Sequence, residues 1–320
     1  MNGAKAHTNK FLDCLGLGII AFDHLITLER FPVSNSKNVV KSLVEQGGGP
    51  TATAMAVLGM LGKKAALVSK MGRDAASEHL VNELVEFNVV IDYLIRDASI
   101  PSPEAFILID VRNGDRTVML HRSEKANLRT QELPFDLIAG ARFLHLDGHE
   151  TSAALSAARI AHKSNTFVSL DIGSNRFVPQ ELLELTHMAV VSQDYANAQL
   201  VKNNSLKSAQ KLLSYGPKIA GVTCGERGSY FATHKAYFFQ PALPVTAVDS
   251  TGAGDVFHGA LLYSLVENYS LKQAALFASA TAALTCTRIG GKAGIPHLDE
   301  IVNLLQKNDY DTKFIHGGKR

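Results

Sequence analysis

The sequence predicts an α/β fold, with a central, mostly parallel sheet flanked by helices on both faces and a second, small β-sheet beside it. Three observations carry this. Short β-rich runs alternate with helical patterns along most of the chain, two stretches hold strands with no helix between them, and 320 residues at 46% hydrophobic content can bury a large core. In chain order, residues 11–20 (FLDCLGLGII) read as the first strand and 65–69, 143–146, 166–171, 188–192 and 219–223 as later ones. Helical patterns at 75–87, 152–162, 181–185 and 208–213 lie between them, and parallel neighbours need such crossovers. Residues 25–45 and 104–121 break the rhythm. The run AFILIDVRNGDRTVMLHR reads as a hairpin turning at Asn113 and Gly114, residue types that accept the positive φ of a tight turn. The expected division is therefore a core of 11–24, 46–103 and 122–307, a small sheet of 25–45 and 104–121, and tails at 1–10 and 308–320.

Charge and composition exclude several classes. Lys and Arg number 32 against 30 for Asp and Glu, with no long run of one sign, so neither nucleic acid nor an acidic membrane surface is an expected partner. The N-terminal MNGAKAHTNK lacks the apolar core of a secretory signal, and the early apolar run 11–22 is broken by Asp13, far short of a membrane span. Cys14, Cys224 and Cys286 are an odd, widely spaced set in apolar patterns, read as free thiols in a reducing compartment, and the expected location is the cytoplasm.

Chemistry concentrates in AVDSTGAGDVFHGALL, residues 247–262. Gly252, Ala253 and Gly254 let backbone approach a ligand closely, and an apolar helical pattern starts directly after Asp255. The first N–H groups of a helix lack internal partners and carry partial positive charge, which makes an anion cradle. An isolated Asp at such a place is often a cap. Beside a bound anion, however, a carboxylate has better use as a base that takes a proton from an attacking alcohol. One decoy fails on context. Gly16, Gly18 and Ala21 fit a loose dinucleotide fingerprint, but FDHLITLERFP after them reads as a strand rather than a helix, and no phosphate-binding P-loop occurs in the sequence.

The string D-x-T-G-A-G-D at 249–255 resembles the C-terminal signature of the ribokinase (PfkB) family of carbohydrate kinases. QGGGPTATAMAVLGMLG at 46–62 resembles its N-terminal signature, with Thr53 where the family commonly has Asn. The resemblance, running from about 11 to 297, implies a ribokinase-like three-layer sandwich whose small sheet is a lid over the sugar site and a dimer contact. It implies transfer of the ATP γ-phosphoryl group, with Mg²⁺, to a hydroxyl of a small sugar of the ketose, pentose or sulfoketose class. Asp255 would be the base, and the N–H groups of Gly252, Ala253, Gly254 and Asp255 the anion hole. Asp23, Gly48, Gly49 and Thr53 would hold the acceptor. VTCGERGSYF resembles the segment beside ATP, making Thr223, Gly225 and Gly228 nucleotide-side candidates. CTRIGGKAGIP resembles the loop that closes over adenine, bringing in Gly291, with Thr251 on the same side. That loop serves a monovalent cation such as K⁺ in many relatives, and Asp249 and Thr251 would face such an ion.

Two family features are altered. The N-x-x-E that orients Mg²⁺ and water is here Ser192-Gln-Asp-Tyr195, with Asp194 as a stand-in, so the Mg²⁺ residues are unassigned. The D-x-N-x-R pattern is spread over Asp171 to Arg176. The branch that looks closest contains bacterial sulfofructose kinase; Lys37 and Arg122 could meet an anionic substituent, with a solvated charge as the favoured reading of each. His145, His149 and His258 fall near site loops without metal-ligand spacing and read as hydrogen-bonded lining residues. Two other readings stay open: a nucleoside kinase of the same fold, which would use Phe31 or Phe106 to stack a base, and a catalytically weak nucleotide-binding regulator.

Overall fold

A computed structural model describes residues 11–112, 116–173 and 176–315. The chain runs β1 (Leu12–Leu17), β2 (Ala21–Leu28), β3 (Ser42–Gly48), α1 (Pro50–Met60), β4 (Ala65–Met71), α2 (Ala75–Glu86), β5 (Val89–Val90), β6 (Leu94–Arg96), β7 (Glu104–Asp110) and β8 (Arg116–His121). It continues α3 (Phe135–Gly140), β9 (Ala141–Leu146), α4 (Thr151–Lys163), β10 (Phe167–Ile172), α5 (Gln180–Glu184), β11 (Met188–Ser192), the single turn α6 (Gln193–Tyr195), α7 (Ser205–Leu213), β12 (Ile219–Thr223), β13 (Ser229–Thr233) and β14 (Tyr237–Gln240). Last come α8 (Ala253–Val266), α9 (Leu271–Thr285) and α10 (Leu298–Lys307).

The large sheet has the order β14-β13-β12-β11-β10-β9-β1-β4-β5, with β6 beside β4. From β12 through β1 to β5 the strands run parallel; β13 alone is reversed, and β14, antiparallel to β13, returns to the common direction. Strand side chains alternate between faces, so a sheet covered on both sides needs apolar residues at consecutive positions. β4 and β11 follow this rule. Ala65, Leu67, Met188 and Val190 join one core layer with α1, α8 and α9, whereas Ala66, Val68, Ala189 and Val191 join the other with α4 and α7. Helix starts are fixed locally: the Asp74 carboxylate accepts from Ser77 N–H at α2, and the Ser270 hydroxyl accepts from Gln273 N–H at α9. Among the described residues, no helix is long and apolar enough to cross a membrane.

A separate sheet of order β3-β2-β7-β8 forms where the helical rhythm lapses. β7 and β8 pair antiparallel from Glu104 opposite His121 to Ile109 opposite Arg116, as a hairpin requires. The expected turn at Asn113 and Gly114 lies outside the described residues. The sheet also takes in residues 21–24 and 46–48, because β2 leaves β1 after a three-residue turn and pairs with β3 up to Gly48. Leu25, Ala105, Ile107 and Ile109 bury a small core of their own, while Val118, Met119 and Leu120 stay exposed on β8.

Helix α8 is buried along nearly its whole length between α1 and α9. Its crossing with α1 depends on Gly259, where an added Cβ would lie 2.7 Å from both the Ala54 carbonyl oxygen and Val57 Cβ. Helix propensity alone favours Gly→Ala by about 1 kcal/mol, but overpacking of this kind costs about 1–3 kcal/mol. Gly259→Ala is expected to lower the denaturation midpoint; a midpoint at or above that of the parent would contradict the close α1–α8 contact.

Candidate active site

Parallel strands place their carboxyl ends on one edge of the sheet, the usual location of a ligand crevice in open α/β folds. The first brace at that edge is Asp147, buried just past β9. One carboxylate oxygen accepts from Ile19 N–H (2.8 Å) and Thr51 Oγ1 (2.9 Å), and the other accepts from His149 N–H (3.0 Å). A single side chain thus fixes the β1–β2 turn, the start of α1 and its own loop.

The cradle expected at the start of α8 is present. Gly252 takes the left-handed conformation at φ 71° and caps the helix, and Val256 N–H returns to its carbonyl (2.9 Å). The N–H groups of Gly252, Gly254 and Asp255 donate to no protein atom among the described residues, whereas Ala253 N–H turns to the Ser250 carbonyl (3.3 Å). Three of the four expected donors are therefore unengaged. A Cβ built on Gly254 would meet nothing within 4 Å, so the side of the helix start at Gly254 is open. Asp249 holds the approach in shape, its oxygens accepting from Thr251 N–H (2.8 Å) and Gly290 N–H (2.9 Å). Gly291 packs directly on Gly252, where an added Cβ would come within 2.7 Å of Gly291 Cα. From the small sheet, Arg116 Nη1 on β8 donates to the Ser250 carbonyl at 2.6 Å.

Asp255 lies half-buried in the first turn of α8. Burial, with the Asp171 and Asp23 carboxylates adding to it, pushes its carboxyl up to about 7 against the pull of His258 and Arg116. One helical turn on, buried His258 pairs with Asp171 across 3.1 Å. Burial alone would lower the imidazole; the Asp171 carboxylate outweighs it and raises His258 above its usual range. His145, wholly buried beside this pair, is pushed down to about 4 by burial and by the nearby His258. The ligating atoms of His145, Asp171 and His258 lie within 4.8 Å of one another. That spacing suits a metal ion, for which a proton on His258 would compete. Without one, the Asp171 carboxylate and the His258 imidazole offset each other's burial close to Asp255.

Among the residues expected to hold an acceptor, Asp23 on β2 is buried against Gly48, where any Cβ would come within 2.0 Å of the carboxylate. Gly49 starts α1 at φ 97°, and a Cβ there would lie 2.4 Å from the Ile19 carbonyl oxygen. Thr53 is buried in α1. Burial and Glu83 raise the Asp23 carboxyl to about 7, although Lys292 and His24 pull it down. Lys37, by contrast, is exposed in the irregular 29–41 loop with no polar partner among the described residues. The expectation for Arg122 needs correcting. It pairs with buried Glu150 and donates to the Ala126 carbonyl (3.0 Å) and Asn127 Oδ1 (2.7 Å), so it serves the fold. Thr223, Gly225 and Gly228 sit at the carboxyl end of β12, with Gly225 and Gly228 at φ 58° and 105°. Asp194 is exposed in α6, whose start is capped by the Ser192 hydroxyl.

The family model for pfkB family carbohydrate kinases matches residues 13–298. The chain belongs to that family. Its enzymes are phosphotransferases with an alcohol group as acceptor, use ATP, typically with Mg²⁺, and include ribokinases, fructokinases and nucleoside kinases. The chain is 26% identical over 299 residues to a ribokinase of Staphylococcus aureus, covering 89% of this chain and 97% of that one. It is 28% identical over 310 residues to a fructokinase of Solanum tuberosum (91% and 95% covered) and 26% over 293 to a nucleoside kinase of Methanothermobacter thermautotrophicus (91% and 94%). Among solved structures, ribokinase of Thermotoga maritima superposes with a TM-score of 0.83 at 23% identity, covering 92% of this chain and all of that one. Arabidopsis thaliana ribokinase complexed with ribose and ATP gives 0.80 at 22%, covering 92% and 99%. The ribokinase-like α/β fold is thereby established.

Sequence reasoning for this pfkB-family chain missed Asp147, Arg116, Glu83 and Lys292. Asp147 ends a strand and could have been flagged by position. The other three sit far along the chain from the groups they serve and carry no local signal. Asp171→Asn should remove the carboxylate that raises His258, so burial takes over and the His258 midpoint falls below the ordinary histidine range. Histidine-resolved NMR titration checks this, and an unchanged midpoint would contradict the pairing.

Proposed function

We propose that the protein transfers the γ-phosphoryl group of ATP to a hydroxyl of a small sugar, of ketose or pentose class, with Asp255 as general base. The observation that carries this reading is the open start of α8, where the N–H groups of Gly252, Gly254 and Asp255 are unengaged beside a carboxyl held near 7. Asp23 accepts hydrogen bonds from acceptor hydroxyls, Gly48 and Gly49 give it room, and Thr53 takes the place of the family's Asn. The acceptor oxygen loses its proton to Asp255 and bonds to phosphorus as the bond from phosphorus to the ADP oxygen breaks. Charge developing on the transferred group meets the N–H groups, which need no reorganisation. Thr223, Gly225, Gly228, Thr251 and Gly291 form the nucleotide side. Mg²⁺, where bound with the ATP phosphates, neutralises their charge; with Asp194 exposed and Asp171 held by His258, no protein ligand set is assigned to it. A monovalent cation would use remaining lone pairs of Asp249 and the Thr251 hydroxyl, which is buried without a protein partner.

A sugar fits better than a nucleoside because Phe106, the aromatic candidate on the small sheet, stacks on His24 at 4.8 Å and has that face covered. Of the two cations considered for a sulfoketose, Arg122 is tied to Glu150, which leaves Lys37. The small sheet closes over the acceptor, as the Arg116–Ser250 contact supports, and the exposed Val118, Met119 and Leu120 suit pairing with a second copy. Three free cysteines fit a cytoplasmic site of action.

Turnover requires ionised Asp255, so kcat should rise with pH through about 7 and fall about tenfold per unit below it. Asp255→Asn keeps shape but accepts no proton; the expected loss is about a hundredfold or more, with ATP binding retained. A folded Asp255→Asn protein with near-parental kcat would remove Asp255 from the mechanism.

A further inference from the structure

Lys292 is buried with its side chain fully inaccessible, yet nothing in the mechanism above uses it. It lies in the loop 286–296, one residue from Gly291, whose backbone packs on Gly252 at the start of the cradle. Its side chain runs the other way, toward the root of the small sheet. Nζ lies 3.5 Å from Glu83 Oε1 on α2 and has no hydrogen-bond partner among the described residues. An added Cβ on Gly47 would come within 2.4 Å of both Lys292 Nζ and Glu83 Oε2, and Gly47 N–H donates to that same Glu83 oxygen. The next residue, Gly48, is the one packed against the Asp23 carboxylate. Gly290 packs on Gln46 of the same strand, its would-be Cβ 2.2 Å from Gln46 Oε1. One loop thus touches the anion cradle at Gly291 and reaches under the acceptor strand at Lys292.

We propose that Lys292 is a positioning residue for the acceptor carboxylate Asp23. A buried ammonium group is costly unless opposite charge compensates it. Glu83, by contact, and Asp23, across the end of β3, offset part of that cost, and burial still holds Lys292 below the ordinary lysine range. Of the charged groups that act on Asp23, Lys292 acts most strongly and favours the ionised form, Glu83 opposes it, and His24 helps weakly. Asp255, on α8, also feels the Asp23 charge. Ionised Asp23 accepts stronger hydrogen bonds from sugar hydroxyls than the neutral acid, so removing Lys292 weakens acceptor binding near neutral pH by neutralising Asp23. Chemistry at Asp255 stays intact once acceptor saturates. The positioning role rests on the reading of Asp23 as an acceptor ligand.

The test pairs two measurements on the full chain with Lys292→Met, Lys292→Arg and Glu83→Gln. Carbon-13 NMR of labelled aspartate follows the Asp23 carboxyl without any turnover. Kinetics give the acceptor KM and kcat from pH 6 to 9. In Lys292→Met the Asp23 midpoint should move up by about one pH unit or more, with acceptor KM at pH 7 rising about tenfold and recovering at higher pH while kcat changes little. Lys292→Arg should keep the parental midpoint. Glu83→Gln, which can still accept from Gly47 N–H, should move the midpoint down, and it decides the matter alone if Lys292→Met does not fold. An unmoved Asp23 midpoint in folded Lys292→Met, or in Glu83→Gln, overturns the proposal. A moved midpoint with unchanged acceptor KM removes Asp23 from acceptor binding, and with it the positioning role.

Discussion

The structure depends on helix α8 being buried along its flanks and open at its first turn. Its sides are closed by α1, through the missing side chain at Gly259, and by α9, so the helix cannot shift or tilt cheaply. Its N-terminus instead emerges at the carboxyl edge of the sheet under the left-handed Gly252. Unengaged N–H groups at a helix end are tolerable only where solvent or a ligand can meet them. Here the protein holds them open with Asp249 on one side and Gly291 on the other.

Around that fixed point the charges form a layered arrangement. Asp171 and His258 lie beneath Asp255 and compensate each other. Asp255 and Asp23 are both raised to about 7, so each can change protonation near neutral pH. Three carboxylates in one buried region would repel without cations, and the structure supplies them from separate elements: His258 from α8, Arg116 from the small sheet and Lys292 from the 286–296 loop. The compensating charges therefore reach Asp171, Asp255 and Asp23 from elements far apart in the sequence.

What the sequence revealed and what it hid follow one physical distinction. The parallel sheet was legible because consecutive apolar residues such as Ala65 to Val68 mark strands buried on both faces, and the small sheet because its hairpin lacks helical spacing. Asp255 and Gly252 were legible because backbone geometry and chemistry coincide within one short string. Lys37 and Arg122 were singled out as cations near the acceptor, but charge alone does not reveal a partner: Arg122 finds Glu150 in a turn 28 residues away. Lys292 reads as one more cation in a glycine-rich loop until the fold brings it beside Glu83 and Asp23.

In the proposed reaction an alcohol attacks a phosphoryl group held at the start of α8. The decisive experiment is ADP release by the purified protein with ATP and Mg²⁺, compared across ketoses, pentoses, sugar acids, nucleosides and no acceptor. Release should depend on a small sugar and stay at background with nucleosides or with no acceptor. Release that no sugar stimulates, or that nucleosides stimulate more strongly than any sugar, would contradict it.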